Sequence, residues 1–332
     1  MIPCCFHPTR VVIVDDRHQL LNSLDIDLDK SYMTFDSFHS PQGALNYINN
    51  VYQPDPFPSR YIANAKGAQE KAGLSFDIYA EIYRPQRFEE ISIVVAEYSL
   101  ENMTGLQFFE AIEHSDIQKV LLIGEGQEGI AQQALSEGSI QAYISKQNLN
   151  WCAQFQEVLQ NAQWQYFSKL SATFMRSIGS ANIPNHALDD ANFQKFFKTI
   201  LINYGFTEAY LCEPTGSYLF LDHQAQDHGL VVNIGEQLDT WVRTGQSKGI
   251  NLPLLKALKD RKKMMCYHTR YGALESDKRH WEIYAHPTNK LKGQRNLFYY
   301  AFAPNIYDID LERILPFEEY RENQQRKVYG VH

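Results

Sequence analysis

Residues 11–14 are four β-branched residues in a row, and they run into two acids, Asp15 and Asp16, ahead of the pair Leu20 and Leu21. That pattern predicts a buried strand ending in acid, followed by a helix. "MTFDSF" predicts a short strand around residues 33–35. A helix then starts after Ser40, with Pro41 in its first turn and Ala44, Leu45 and Ile48 on one face. "ISIVVAE" is a third apolar strand, ending at Glu97, and Leu106, Phe108, Phe109 and Ile112 mark the helix after it. "KVLLIGEG" predicts a fourth strand, "EGIAQQALSEG" a helix closed by Gly138, and "IQAYISKQ" a fifth strand that delivers Lys146. Strand and helix alternate through the whole half. The expected fold is therefore α/β, a doubly wound parallel sheet of five strands with helices on both faces.

In such sheets the chemistry collects beyond the carboxyl ends of the strands. Here those ends carry Asp15 and Asp16, then Glu97, then Lys146. Carboxylates crowded at one edge repel one another unless a divalent cation or the Lys146 ammonium offsets them.

The second half is patterned differently. "NWCAQFQEVLQNAQWQYFSKLSATFMRSIG" has no proline or internal glycine and puts Trp151, Phe155, Val158, Leu159, Ala162, Tyr166, Leu170 and Phe174 on one stripe. We expect a linking helix over 151–180, whose stripe over 151–178 forms a homodimer seam or packs on the protein's own domains. After a loose segment, Asp189 or Asp190 caps a helix carrying Phe193, Phe196, Phe197, Ile200 and Leu201 and ended by Gly205. A hairpin turning at 214–216, a third strand "GLVVNI", two helices and three further strands, "MMCYH", "HWEIYAH" and "NLFYYAFAP", complete an α+β domain, PAS-like or similar. The expected boundaries are 1–150 for the first domain, 151–180 for the linking helix and 181–332 for the second domain.

Composition narrows the classes. The chain has 332 residues, enough for two cores, and its 44% hydrophobic and 21% charged content is that of a folded protein. The amino terminus lacks a basic-then-apolar export layout and no apolar run is long enough to span a bilayer, so a cytoplasmic protein without membrane contact is expected. Five cysteines, Cys4, Cys5, Cys152, Cys212 and Cys266, are scattered without metal spacing and are read as reduced thiols. Residues 1–150 hold 10 Lys and Arg against 20 Asp and Glu, which argues against nucleic-acid binding by that half. The basic run "KALKDRKK" at 256–263 is read as a solvated helix face, and His268, His280 and His286 as ordinary strand histidines without metal spacing.

The strand-end residues of the first half carry a resemblance. "VVIVDD", "EYSLENMTG" and "AYISK" together resemble the receiver domain of bacterial two-component response regulators, the CheY-like family, over residues 9–150. The resemblance implies that Asp15 and Asp16 are the metal-holding acids, with Glu97 as a third ligand. It also implies that Glu97 stands at the phospho-acceptor position, that Ile123 and Tyr143 occupy the switch positions, and that Lys146 is the family's lysine. Three departures follow. The acceptor aspartate is replaced by Glu97, the hydroxyl residue of the fourth strand by Ile123, and the Met-Pro after the acceptor by Leu100 and Glu101. A glutamate reaches one methylene further, and a misplacement of about 1 Å costs on the order of 100-fold in rate. Ile123 offers no hydrogen bond. The expectation is a degenerate receiver, with Glu97 as a fixed partial mimic of the charged state and Mg²⁺ bound weakly or not at all.

"GEGQEG" at 124–129 satisfies the dinucleotide-binding spacing. It follows the fourth strand rather than the first, and no acid ends the next strand to hold a ribose, so it is read as a mobile loop. Residues 51–90 interrupt the receiver pattern. "QPDPFPS" is proline-punctuated coil, while Phe76, Ile78, Tyr79, Ile82 and Tyr83 predict a helix up to Pro85 that extends the core. The resemblance extends to a proteobacterial subgroup of stand-alone regulators with an insertion at this point. It implies a non-enzymatic signalling protein with protein partners, a sensor kinase or a downstream signalling protein. Two alternatives remain open: a nucleotide-binding or enzymatic second domain, and a nucleic-acid-binding regulator.

Overall fold

The computed structural model describes residues 1–16, 30–58, 77–148, 150–177, 187–213, 215–266, 281–307 and 309–329. The chain begins with a short strand, β1 (Cys5–Phe6), whose sheet is described below. The alternating pattern that follows forms β2 (Thr9–Val14), β3 (Met33–Phe38), α1 (Pro41–Asn46), β4 (Ile91–Glu97), a small ribbon of β5 (Ser99–Leu100) and β6 (Met103–Thr104), and α2 (Gly105–Glu110). It continues as β7 (Gln118–Ile123), α3 (Glu128–Ser136), β8 (Ala142–Ser145) and α4 (Trp151–Ser177). The helix expected at Leu20 and Leu21 lies outside the described residues.

The five-stranded sheet has the order β3-β2-β4-β7-β8 with every pairing parallel, as the alternation predicts. Central β4 is buried at all seven positions, as a strand covered on both faces must be. Successive side chains divide between those faces. Val12, Val14, Val94, Ala96, Leu121 and Ile123 meet Phe108 and Phe109 of α2 and Ala131 and Ala134 of α3. Val11, Ile13, Ile93, Val95, Val120 and Leu122 meet Phe155, Leu159 and Ala162 of α4.

This second face corrects the expected homodimer seam. The stripe on α4 is the cover for one side of the parallel sheet, and Phe155 and Leu159 are wholly buried within the chain. Among the described residues α4 is the helix that covers those six strand residues, at about 25 cal/mol per Å² of apolar surface kept from water. Six of the eight side chains nominated for a seam over 151–178 are therefore buried within the chain, and Trp151 and Val158 are partly so.

The chain divides into two compact units whose limits differ from the expected 1–150, 151–180 and 181–332. One contains residues 6–58, 84–174 and the carboxyl-terminal residues from 320; the other contains 1–5, 77–83 and 175–319. The reason lies in burial: α4 completes the parallel unit rather than linking it to the next. The end of α8 (Phe317–Tyr329) belongs to that unit too, where the Tyr320 ring lies 5.2 Å from Phe88 and its hydroxyl accepts from Arg10 Nη2 at 3.0 Å.

The other unit is built from α5 (Ala191–Tyr204), β9 (Phe206–Glu213), β10 (Ser217–Asp222), β11 (Asp227–Asn233), α6 (Gly235–Lys248) and α7 (Leu252–Lys259). It continues with β12 (Lys263–Met265), β13 (Ala285–Pro287), β14 (Asn289–Lys292) and β15 (Leu297–Ala303). Its main sheet has the order β1-β9-β10-β11-β15-β14, antiparallel from β9 to β14. This is the α+β class expected. Asp190 is the helix cap, accepting from Asn192 N and Phe193 N, and Gly205 ends α5 in the left-handed region at φ 65°. Phe197 of α5 packs on Tyr218 and Phe220 at 4.7 and 5.3 Å between ring centroids. A satellite cluster around Trp281 joins α7 to the β12–β13 ribbon.

Two segments join this unit from outside its expected span. At the amino terminus, Leu211 N donates to Cys4 O at 2.7 Å and the Tyr218 hydroxyl to Pro3 O at 3.0 Å, so residues taken for the first domain add to the antiparallel sheet. In the insertion, the expected helix is a 3-10 helix over Asp77–Tyr83, followed after Arg84 by a second over Pro85–Glu89. Pro85 restricts Arg84 to extended backbone, φ −101° and ψ 108°, which divides the two. Ile82 is wholly buried, and Tyr83 accepts from Asp310 N at 3.0 Å and lies beneath the Arg313 guanidinium.

Candidate functional site

Parallel register sets the ends of β2, β4 and β8 on one edge of the sheet, and Asp15, Glu97 and Lys146 lie at those ends. Asp15 is fully buried and Glu97 nearly so. Lys146 Nζ donates to Asp15 Oδ2 at 2.8 Å and forms an ion pair with Glu97 Oε2. The Glu97 contact is charge against charge without hydrogen-bond angles at that oxygen. One ammonium thus bridges two buried carboxylates, as the charge argument from sequence anticipates. In a low-dielectric setting such an arrangement holds only if the cation stays: removing one partner of a buried pair costs about 3–5 kcal/mol.

The backbone around the site is fixed by local rules. Gly105 N donates to Tyr98 O at 2.7 Å, and a Cβ at Gly105 would come within 2.5 Å of the Glu97 carbonyl oxygen. Only glycine fits this approach. Thr104 and Gln107 form a capping box that starts α2 directly after the site. Asn102 takes the left-handed φ of 65° in the β5–β6 turn, a conformation that Asn tolerates well.

The remaining site residues fall into two groups. Ile123 is wholly buried in the apolar cluster on the α2–α3 face, and half-buried Tyr143 packs against the same cluster. Ile123 carbonyl accepts from Lys146 N at 3.0 Å, so this position meets the lysine through backbone and presents no side-chain donor or acceptor. Asp16, by contrast, is half-exposed and stands at the last described position before residue 30. The expected metal set of Asp15, Asp16 and Glu97 is not assembled: among the described residues no three His, Cys, Asp or Glu side chains are arranged to hold an ion. Lys146 supplies one positive charge against two carboxylates, and its ammonium occupies the space between Asp15 and Glu97 that a divalent ion would take. The residues do not fit Mg²⁺ in this arrangement.

Sequence reasoning missed Gln127 and Ser99. Gln127 Oε1 accepts from Gly124 N at 2.8 Å, and its Nε2 donates to Ser99 Oγ at 3.1 Å. The loop read as mobile is thereby tied across the sheet edge to the residue two after Glu97. Nothing in the spacing of "GEGQEG" signals this, because the partner lies 28 residues away.

Elsewhere the candidates are structural. The basic run at 256–263 does not form one helical face: α7 ends at Lys259, Arg261 has a φ of 57° and pairs with Asp239, and Lys263 lies on β12. His286 is half-buried, with burial and then Lys263 lowering its pKa. His268 and His280 lie outside the described residues. All five cysteines are free, and burial pushes the Cys266 thiol up to about 12, far from a reactive thiolate. Among the described residues no helix is long and apolar enough to cross a membrane.

No protein-family model matches the chain, and no curated protein matches it. Solved structures do. The Legionella pneumophila response regulator LqsR is similar at 28% identity, with a TM-score of 0.81 over 97% of this chain and 95% of that one. Partial likenesses extend to an adenylate cyclase from Rhodopirellula baltica, at 17% identity and TM-score 0.36 over 51% of this chain and 97% of that one. A CheY-like response regulator receiver domain protein from Methanospirillum hungatei is 15% identical, with TM-score 0.34 over 49% of this chain and 98% of that one.

Proposed function

We propose that this chain, which has the receiver fold and resembles a response regulator over nearly its whole length, transmits a signal without phosphorylation of its acceptor position. The observation that carries the reading is the Lys146 ammonium held by both Asp15 and Glu97. In a receiver the acceptor carboxylate must be free to attack a phosphoryl donor, and the site must bind the metal that neutralises the transferred group. Here the carboxylate at that position is a glutamate already paired with lysine, and Ile123 has no hydroxyl to hold a phosphoryl oxygen. Asp15 and Glu97 meet on the lysine, and among the described residues no third ligand completes a metal set.

In this reading the edge is a fixed charge cluster, and the signal enters through a protein partner, a sensor kinase or a downstream signalling protein acting as a docking partner. The antiparallel α+β unit is the output module and is not itself an enzyme. Support for that comes from the buried, inert state of its thiols and from the placement of its polar groups within hydrogen-bonded strands.

The test is hydrogen exchange across the antiparallel unit in wild type and in Glu97→Gln, which removes one charge from the cluster. Altered exchange in residues 191–303 is expected. Identical exchange there, with changes confined to residues 84–146, would remove the output-control half of the proposal.

A further inference from the structure

The edge of the parallel sheet opposite Asp15 and Glu97 carries a cavity of about 560 Å³. That volume is in the range of small-molecule sites, about 300–1,000 Å³. Its wall combines Arg10 at the start of β2, Tyr47 and Tyr52 after α1, Arg84 and Arg87 from the insertion, and Gln324 of α8. Four stretches distant in sequence are brought together here, and two of them, the insertion and α8, are additions to the five-stranded pattern.

We infer that this cavity binds a small anionic molecule carrying a carboxylate or phosphate group, received by Arg10. The charges of the wall balance by count, since Asp55, Glu89 and Glu90 also line it. Two of those carboxylates are engaged internally. Asp55 Oδ2 takes Arg84 Nη2 at 2.8 Å, and Glu90 accepts from the Tyr166 hydroxyl at 2.7 Å with His7 Nε2 at 3.5 Å. Glu89 is exposed.

Arg10 is the group whose hydrogen-bonding capacity is not used up. Its Nη1 faces Asp36 at 3.2 Å and the Tyr47 hydroxyl, and its Nη2 donates to the Tyr320 hydroxyl. Its Nε is sealed from solvent, so the donor left for a ligand is the second N–H of Nη2, of which Tyr320 takes only one. A guanidinium fixed by a strand on one side and two tyrosines on the other is also oriented in advance for an acidic group. Burial lowers the pKa of this guanidinium, but Asp36 and the two tyrosines raise it by more, so it remains charged at every working pH.

Because Tyr320 bonds Arg10 and Gln324 lines the cavity, occupancy reaches α8 directly. Bound anion should therefore slow exchange in α8 as well as in residues 84–90.

The experiment is calorimetric titration of the full chain with citrate and, separately, with inorganic phosphate, at matched ionic strength, with hydrogen exchange on the same samples. Millimolar or tighter binding of at least one probe, with slowed exchange in 84–90 and α8, is expected; which probe binds distinguishes a carboxylate from a phosphate ligand. Gln86→Trp, on the exposed rim, and Arg84→Gln should each weaken that binding by about tenfold or more, about 1.4 kcal/mol. No binding of either probe overturns the inference. So does binding that Gln86→Trp and Arg84→Gln leave unchanged, since the anion would then sit elsewhere.

Discussion

The two sheets of this protein handle polar groups in opposite ways. The parallel sheet keeps both faces apolar and displaces its charge to the strand ends, where Asp15, Glu97 and Lys146 meet. The antiparallel sheet carries polar groups inside its strands. Glu208 is wholly buried and bonded by the Tyr210 hydroxyl, and Ser217 Oγ both donates to Glu213 Oε2 at 2.9 Å and accepts from Val232 N at 3.0 Å. In the first sheet an isolated charge marks a site; in the second, a buried carboxylate is part of the local hydrogen bonding. The same residue type therefore reads as a functional candidate in one unit and as framework in the other.

Three substitutions probe this contrast. The largest effect is expected from Phe155→Glu, which puts a carboxylate into the dry interface between α4 and the sheet. Loss of a buried aromatic alone costs about 3–5 kcal/mol, and the unpaired charge adds to it. Chemical denaturation should show the chain largely unfolded; a folded chain that merely changed oligomeric state would return the stripe to a dimer seam. Next is Lys146→Met, which leaves Asp15 and Glu97 buried without their cation and should cost about 3–5 kcal/mol. A loss below about 1 kcal/mol, the value of an exposed pair, would show that the edge is wet and open.

The smallest effect belongs to the antiparallel sheet. Burial raises the Glu213 carboxyl above its ordinary pKa, and the bonds from Ser217 and Thr215 offset only part of that. The folded chain then holds the proton more tightly than the unfolded chain. Stability falls as pH rises from the ordinary carboxylate range through the raised value, and the ionised group is a net cost at neutral pH. Glu213→Gln should raise Tm slightly at neutral pH and leave it unchanged in acid. The opposite sign, a variant less stable at neutral pH, would mean that Glu213 is held as a favourable anion.

Much of the parallel unit was legible because its rules are local. Four β-branched residues at 11–14 specify a buried strand on their own, and the alternation of their faces follows from the pleat. The convergence of Asp15, Glu97 and Lys146 is then a consequence of parallel order, and the structure joins them. What was not legible depends on distant partners. The stripe of α4 carries the same residues whether it faces a second copy or its own sheet, and only the bare second face of the sheet decides between them. Likewise Cys4 and Cys5 give no sign that the backbone beside them pairs with Leu211. Neither the tie from Gln127 to Ser99 nor the approach of Tyr320 to Arg10 has a periodicity to betray it. Asp15 and Asp16 also part company: adjacent side chains diverge, so of the two only Asp15 is paired with the lysine while Asp16 is half-exposed.

The central claim is that the acceptor position is chemically silent. Intact mass measured after incubation with acetyl phosphate and Mg²⁺ tests it, with wild type beside Glu97→Asp/Ile123→Thr. No added phosphoryl group is expected on wild type; a group gained by the double variant alone would trace the silence to Glu97 and Ile123, and none on either would trace it also to the unassembled metal set. A phosphoryl group on wild type, lost in Glu97→Gln, would contradict it.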